Sequence, residues 1–402
     1  MKHTEFIKKT RGIASTVTAA ATLVLLLTIG ITTVWQNRTA LFSPTADEST
    51  GERPTVKARL TEAFDTEIIG FSDCLWIYGK TMKLFGASVF EDAGVGYLIL
   101  DSEDNLHFNT LPADAAPYAE AVAVLRDTLA EHDIPFLYFQ SPTKEIDGYT
   151  DYPLGMDYGS TANAAAMRDA LREHGIEVLS FAEEFAESGI DPASQFYRTD
   201  HHWTTQTAFT AFSLALPYLN DTLGWSLDLS LSNADNWLSL YQPQSFLGSI
   251  GRRIGEELAG LDDYTYLEPA FDTAYHIYYP PSSTEVPYWT GTFHETMVRD
   301  ALLYSEDVTA NRYASYFQYD YGELIIENLN ADNDLHIAIL KDSFALPFTA
   351  FLSTAVAGID MIDLREFEGS VADHLAETKP DLVIMMYTNS AFNEPKMYEF
   401  FD

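Results

Sequence analysis

From Leu335 to Tyr387 the chain alternates apolar strand-like and helix-like segments without a break. Leu335–Leu340, Ile359–Leu364 and Asp381–Tyr387 read as buried strands, with Phe344–Val356 and Ser370–Thr378 as the helices between them. Strands that are apolar on both faces and joined through helices pair in parallel, and helices must then cover both faces. Upstream the same grammar recurs. Tyr118, Val122, Leu125 and Leu129 form a helix face, Pro135–Phe139 a strand, and Ala166, Met167, Ala170 and Leu171 a helix that stops at Gly175. Ile176–Phe181 is the next strand, and Val95–Leu100 with the Asp101–Asn105 turn predicts a hairpin. The expected fold is α/β: a three-layer, flavodoxin-like parallel sheet. Residues 233–330, rich in Tyr, Trp, Gly and Pro, break the rhythm as a β-rich or irregular insertion.

The amino end adds a different constraint. Lys2, Lys8, Lys9 and Arg11 precede a nearly uncharged stretch from Ile13 to Trp35, long enough to span a bilayer as a helix. Basic residues before the stretch keep the amino end in the cytoplasm and put the rest of the chain outside. This predicts a basic segment over 1–12, a transmembrane signal anchor over 13–35, a polar linker over 36–61 and a folded extracytoplasmic domain over 62–402. The alternative is a signal peptide and a secreted domain. With 60 acidic against 23 basic residues, the net charge of −37 argues against a nucleic-acid partner. Cys74 is the only cysteine, which excludes an internal disulfide and reads as a small buried hydrophobe.

Two segments could carry chemistry. Arg198-Thr199-Asp200-His201-His202-Trp203 sets an acid and two of the chain's ten histidines at the head of an apolar-periodic segment (Ala208, Phe209, Phe212). Lys341-Asp342-Ser343-Phe344 lies where a buried strand meets a helix, so unpaired first-turn N–H groups could hold an oxyanion there. Capping that helix is the competing role for Ser343 and Asp342. Lys144, in the Ser141–Lys144 loop, sits at a strand's carboxyl end, where open α/β sheets collect ligands.

Asp200-His201-His202-Trp203 resembles the signature of the DHHW family of bacterial exported proteins, which is similar to the periplasmic alginate O-acetylation proteins and their SGNH-hydrolase-like domains. The resemblance covers roughly residues 90 to 390. It implies that Asp200 orients the base, His202 is the general base and Ser343 the nucleophile. The last strand ends at Tyr387 and Asn389 follows it, where an Asn suits an oxyanion donor; Gly248, in Phe246-Leu247-Gly248-Ser249, could offer a second N–H or serve as a turn glycine. His201, Arg198 and Lys144 are then substrate-binding candidates. The implied chemistry is O-acetyl transfer to, or ester hydrolysis on, cell-surface polysaccharide or acetylated carbohydrate. No cofactor or metal is required, and a membrane-bound acyltransferase is an implied partner. Tyr and Trp residues of the insertion (Trp237, Tyr241, Tyr264, Tyr266, Trp289) could stack on sugar rings, with core packing the competing role for most of them.

Two departures matter. The residue before Asp-Ser, often Gly in such proteins, is Lys341, and His201 is an extra histidine between acid and base. In an extended segment His201 would point away from His202. Two rival readings remain at the level of sequence: a non-catalytic SGNH-like scaffold that binds polysaccharide, and a metal-dependent phosphoesterase built on the Asp-His-His run.

Overall fold

The structure, a computed structural model, describes residues 71–402 apart from 93, 154, 156, 157, 280–287, 391 and 402, together with 23, 24, 27, 28, 30–35 and 38. The expected anchor over 13–35 lies largely outside the described residues. Residues 30–35 are helical, and no helix among the described residues is long and apolar enough to cross a membrane. The chain divides into two compact units, 1–82 and 83–402. Cys74, expected to be buried, is exposed on the helix Phe71–Phe85.

The larger unit opens with a three-stranded antiparallel sheet: β1 (Val89–Asp92), β2 (Gly96–Leu100) and β3 (Leu106–Phe108). The main sheet has eight strands. Five are parallel: β4 (Phe136–Gln140), β5 (Val178–Ser180), β11 (His336–Lys341), β12 (Gly358–Ile362) and β13 (Leu382–Tyr387). Between β5 and β11 the chain forms β6 (Trp237–Phe246), β7 (Asp262–Pro269), β8 (Tyr275–Tyr278), β9 (Trp289–Gly291) and β10 (Glu323–Asn328). Of these, β6 and β7 pair with each other, whereas β10 pairs antiparallel with β12 and β8 and β9 continue the main sheet as successive antiparallel neighbours, giving the order β5-β4-β13-β11-β12-β10-β8-β9. The stretch expected as an insertion is therefore β-rich, and three of its strands belong to the sheet itself. Sequence pattern hid this because antiparallel edge strands are short and interrupted by loops.

Side-chain alternation along the central strands sorts two cores. Leu137, Phe139, Ile337, Ile339, Ile384 and Met386 face one side, packed under the helices α3 (Thr205–Leu223) and α4 (Ala345–Leu352). Phe136, Tyr138, Ala338, Leu340, Val383 and Met385 face the other, under α1 (Ala116–Glu131), α2 (Ser160–Glu173) and α5 (Val371–Thr378). The result is three layers, as the apolar strands predict. After β11 the chain leaves toward the first face through α4, while after β4 it leaves toward the second through α2. These exits to opposite faces, on either side of β13, open a crevice at the strands' carboxyl ends, the place where open α/β sheets bind ligands.

Candidate active site

Ser343 enters this crevice from the end of β11. The turn that presents it is built by Asp342, whose Oδ1 accepts from the Phe344 N–H at 2.9 Å and Oδ2 from the Thr388 N–H at 2.6 Å. The nucleophile turn is thus pinned to the residue that follows β13. Burial raises the Asp342 carboxyl pKa, opposed by those two N–H groups. The cap residue of α4 is Phe344, which makes no side-chain cap bond, so the Ser343 hydroxyl is not spent on capping.

The acid and base arrive on a tight turn closed by the Phe196–Trp203 bridge. His202 Nε2 lies 2.7 Å from Ser343 Oγ, and His202 Nδ1 lies 2.6 Å from Asp200 Oδ1. A carboxylate at Nδ1 holds the proton there and leaves the Nε2 lone pair facing the serine hydroxyl. Asp200 is buried, and burial works against its charge. His202, His201 and the Ser249 N–H, which donates to Oδ2 at 2.6 Å, outweigh that cost and hold its pKa well below the usual carboxylate range. The His202 ring stacks on Tyr313, with centroids 3.8 Å apart and planes 9° apart. Trp203 is wholly buried, and its indole N–H reaches both Tyr313 Oη and the Phe344 carbonyl at 3.1 Å. The tryptophan of the Asp-His-His-Trp run therefore ties the base to the nucleophile turn. Tyr313 and Ser249 complete this arrangement; nothing in the sequence surroundings of Tyr313 marks it, and Ser249 lies in the Phe246–Ser249 block singled out for Gly248.

The remaining sequence candidates divide. His201 does not point away from His202: residues 199–202 form a turn rather than extended backbone, and the two rings sit 3.8 Å apart. Its Nδ1 lies 2.7 Å from Ser249 Oγ. Enclosure and the adjacent His202 hold the His201 imidazole below the ordinary histidine range. Lys144 donates to the carbonyls of Arg198 (2.8 Å) and Asp200 (2.7 Å), bracing the turn from below, and burial draws its pKa down to about 8. Arg198 turns aside, its guanidinium reaching the carbonyls of Asp104 and Ala259. Tyr387 borders the crevice while its hydroxyl donates to the Met397 carbonyl.

Neither expected oxyanion donor is free for the task. The Asn389 amide is fully buried, accepting from Tyr138 Oη and Gln140 Nε2 and donating to Tyr398 Oη. The Gly248 N–H donates to Thr199 Oγ1 at 2.8 Å. By contrast, the Ser343 N–H donates to no described residue. Of the insertion aromatics, Trp237, Tyr264 and Tyr266 are core packing, while Tyr241 is exposed.

Gly248 has another duty. A Cβ there would lie 2.3 Å from the Asp200 Cβ and 2.6 Å from its Cα. Gly248→Ala must displace Asp200, and misplacing catalytic geometry by about 1 Å costs on the order of 100-fold in rate. The expected result is that loss in turnover with roughly 1–3 kcal/mol of destabilisation from overpacking. Ester hydrolysis and thermal melting, measured together, check it.

Asp200, His201 and His202 lie close enough to share an ion. Yet both Asp200 oxygens accept bonds from His202 and Ser249, and His202 Nε2 faces Ser343, so the donor set is arranged for proton relay rather than for a cation. Beside the relay is a cavity of about 200 Å³, bordered by His107, Phe108, Tyr152, His201 and Ser343 among others.

Residues 98–216 match the family model of the SGNH hydrolase-like domain of the acetyltransferase AlgX. No functionally curated protein matches the chain by sequence. By shape the chain is similar to Bacillus cereus PatB1 with a sulfonyl adduct, at a TM-score of 0.62 and 18% identity, covering 79% of this chain and 100% of that one. It is also similar to a DHHW family protein from Eubacterium siraeum, at 0.58 and 14%, covering 78% and 98%. The resemblance carried by Asp200–Trp203 and the SGNH-like α/β architecture agree with these likenesses.

Proposed function

We propose that this chain is an acyl-transfer enzyme in which Ser343 is the nucleophile, His202 the general base and Asp200 the residue that orients it. The acceptor is a hydroxyl of cell-surface polysaccharide on the outer side of the membrane. The single observation that carries the reading is the continuous Asp200–His202–Ser343 relay, at 2.6 and 2.7 Å. In the first half-reaction Ser343 Oγ attacks the acyl carbonyl as its proton passes to His202 Nε2. The Ser343 N–H, at the head of α4, is positioned to stabilise the oxyanion. His202 then protonates the leaving group, and an acyl ester remains on Ser343. In the second half-reaction a sugar hydroxyl takes the place of the leaving group. The match of residues 98–216 to an acetyltransferase family model supports acetyl as the transferred group.

An activated serine also attacks sulfonyl fluorides, and the similar PatB1 is described with a sulfonyl adduct. Treating the protein with phenylmethanesulfonyl fluoride should form an O–S bond at Ser343 with loss of fluoride. Peptide mass spectrometry should place the adduct on Ser343 in the wild type and find none in His202→Ala. A wild type that stays unlabelled, while folded by its melting curve, would refute the reading.

A further inference from the structure

The second strand of the hairpin β2–β3 brings a second aspartate–histidine pair to the same cavity. Asp101 directly follows β2 and is buried. Its Oδ1 accepts from the backbone N–H of Glu103 (2.9 Å) and Asn105 (2.7 Å), and its Oδ2 lies 2.8 Å from His107 Nε2. The turn is therefore a cradle for a carboxylate, and that carboxylate fixes the tautomer of His107 with its proton on Nε2. Nδ1 then carries a lone pair, and it has no hydrogen-bond partner among the described residues. A histidine serving only the core would be satisfied at both nitrogens. His107 is instead 3% exposed overall, yet its ring borders the Ser343 cavity. Burial, with the Lys144 charge nearby, holds its pKa below the ordinary histidine range, which favours the neutral ring that donates from Nε2 and leaves Nδ1 as an acceptor.

The surroundings say what the acceptor is for. Tyr152 sets its ring against His107 at 5.0 Å and 75°, and Phe108, the next residue, packs 5.6 Å from His201. One short strand thus carries a polar acceptor and an aromatic wall up to the His201–His202 turn, a combination that suits the mixed polar and apolar faces of a sugar. The net charge of −37 disfavours an anionic one.

We infer that His107, held by Asp101, is the acceptor-side recognition residue of this cavity, taking a hydrogen bond from a hydroxyl of the neutral sugar that receives the acyl group. The inference rests on the acyl-transfer reading. In the transfer step a second hydroxyl of that sugar attacks the acyl carbon on Ser343, its proton passing to His202 Nε2. The new ester C–O bond forms, the bond from the acyl carbon to Ser343 Oγ breaks, and His202 returns the proton to Ser343. His107 exchanges no proton; it positions the acceptor.

The test uses the full chain with p-nitrophenyl acetate as donor and cellotetraose as acceptor, following acetate release and acetylated tetraose together. Loss of one buried hydrogen bond should raise the acceptor KM, and lower the transfer-to-hydrolysis ratio, by roughly tenfold in His107→Gln. Asp101→Asn should lower the ratio too, because an amide donating to Nε2 turns Nδ1 into a donor. A purely structural pair would depress both reactions equally and leave the ratio fixed. An unchanged ratio in folded variants overturns the inference, as does a wild type that hydrolyses the ester but transfers nothing. Should both variants fail to fold, the His107 Nδ1 nitrogen shift of the wild type, titrated with cellotetraose, decides instead: no movement overturns it. A wild type that neither hydrolyses the ester nor takes the sulfonyl label brings down the parent reading and this one with it.

Discussion

Ser343→Ala is expected to lower acyl transfer by roughly four to six orders of magnitude, the scale on which serine triads lose turnover when the nucleophile goes. Ser343 Oγ stands 2.7 Å from His202 Nε2, the serine does not cap α4, and Asp342 rather than Ser343 supplies the bonds that shape the turn. Removing the hydroxyl should therefore leave the fold untouched, whereas a capping serine would cost about 0.5–2 kcal/mol of stability on the same change. His202→Ala should lose as much activity, and the double variant should be hardly worse than either single one, because the residues act as a unit. Turnover of p-nitrophenyl acetate, with a melting curve for each variant, provides the measurement. Retention of half the activity in Ser343→Ala, or a steep loss of stability without loss of turnover, contradicts the assignment.

How much of this site could be read from the sequence depends on how local each interaction is. The central strands were legible because each is apolar on both faces and bounded by turns, which only a covered parallel sheet explains. Asp200, His202 and Ser343 were legible as residue types at junctions, yet their meeting across 141 positions of chain is a product of topology. Tyr313 comes from the short 3-10 turn Arg312–Ser315, which no periodicity announces, and Ser249 was legible only as a member of the Phe246–Ser249 block, not as a partner of Asp200. Asn389 shows the converse: the right residue at the right strand end, but turned into the core by Tyr138, Gln140 and Tyr398. Asp101 and His107 sit where a hairpin was expected, and the hairpin forms. What the hairpin pattern leaves out is that β3 hydrogen-bonds to the Arg198 carbonyl through the Leu106 N–H and so borders the catalytic turn.

Lys341, in place of the usual small residue before Asp-Ser, looks like a weakness in the sequence and is a brace in the structure. It is fully buried at the end of β11. Its ammonium donates to Asp363 Oδ2 at 2.8 Å and to Asp320, and Arg365 binds both Asp363 oxygens, at 2.9 and 2.6 Å. A charge buried in this way is tolerable only while its partners stay, so Lys341→Ala should cost about 3–5 kcal/mol and loosen the turn that holds Ser343. Acid should reveal the same network. Burial alone would raise the Asp363 pKa, but Arg365 and Lys341 override it and bring it down to about 2. A carboxyl depressed in the folded state stabilises the fold above its unfolded value, near pH 4, and that stabilisation is lost as pH falls toward 2. At a little over 1 kcal/mol per unit, the contribution of this one group is on the order of 2–3 kcal/mol. Denaturant unfolding of the wild type and Asp363→Asn at pH 6 and pH 2 should show the stability gap between them narrowing by about that amount. Parallel curves, with the same gap at both pH values, would show that the Lys341–Asp363–Arg365 cluster does not stabilise the charged carboxylate.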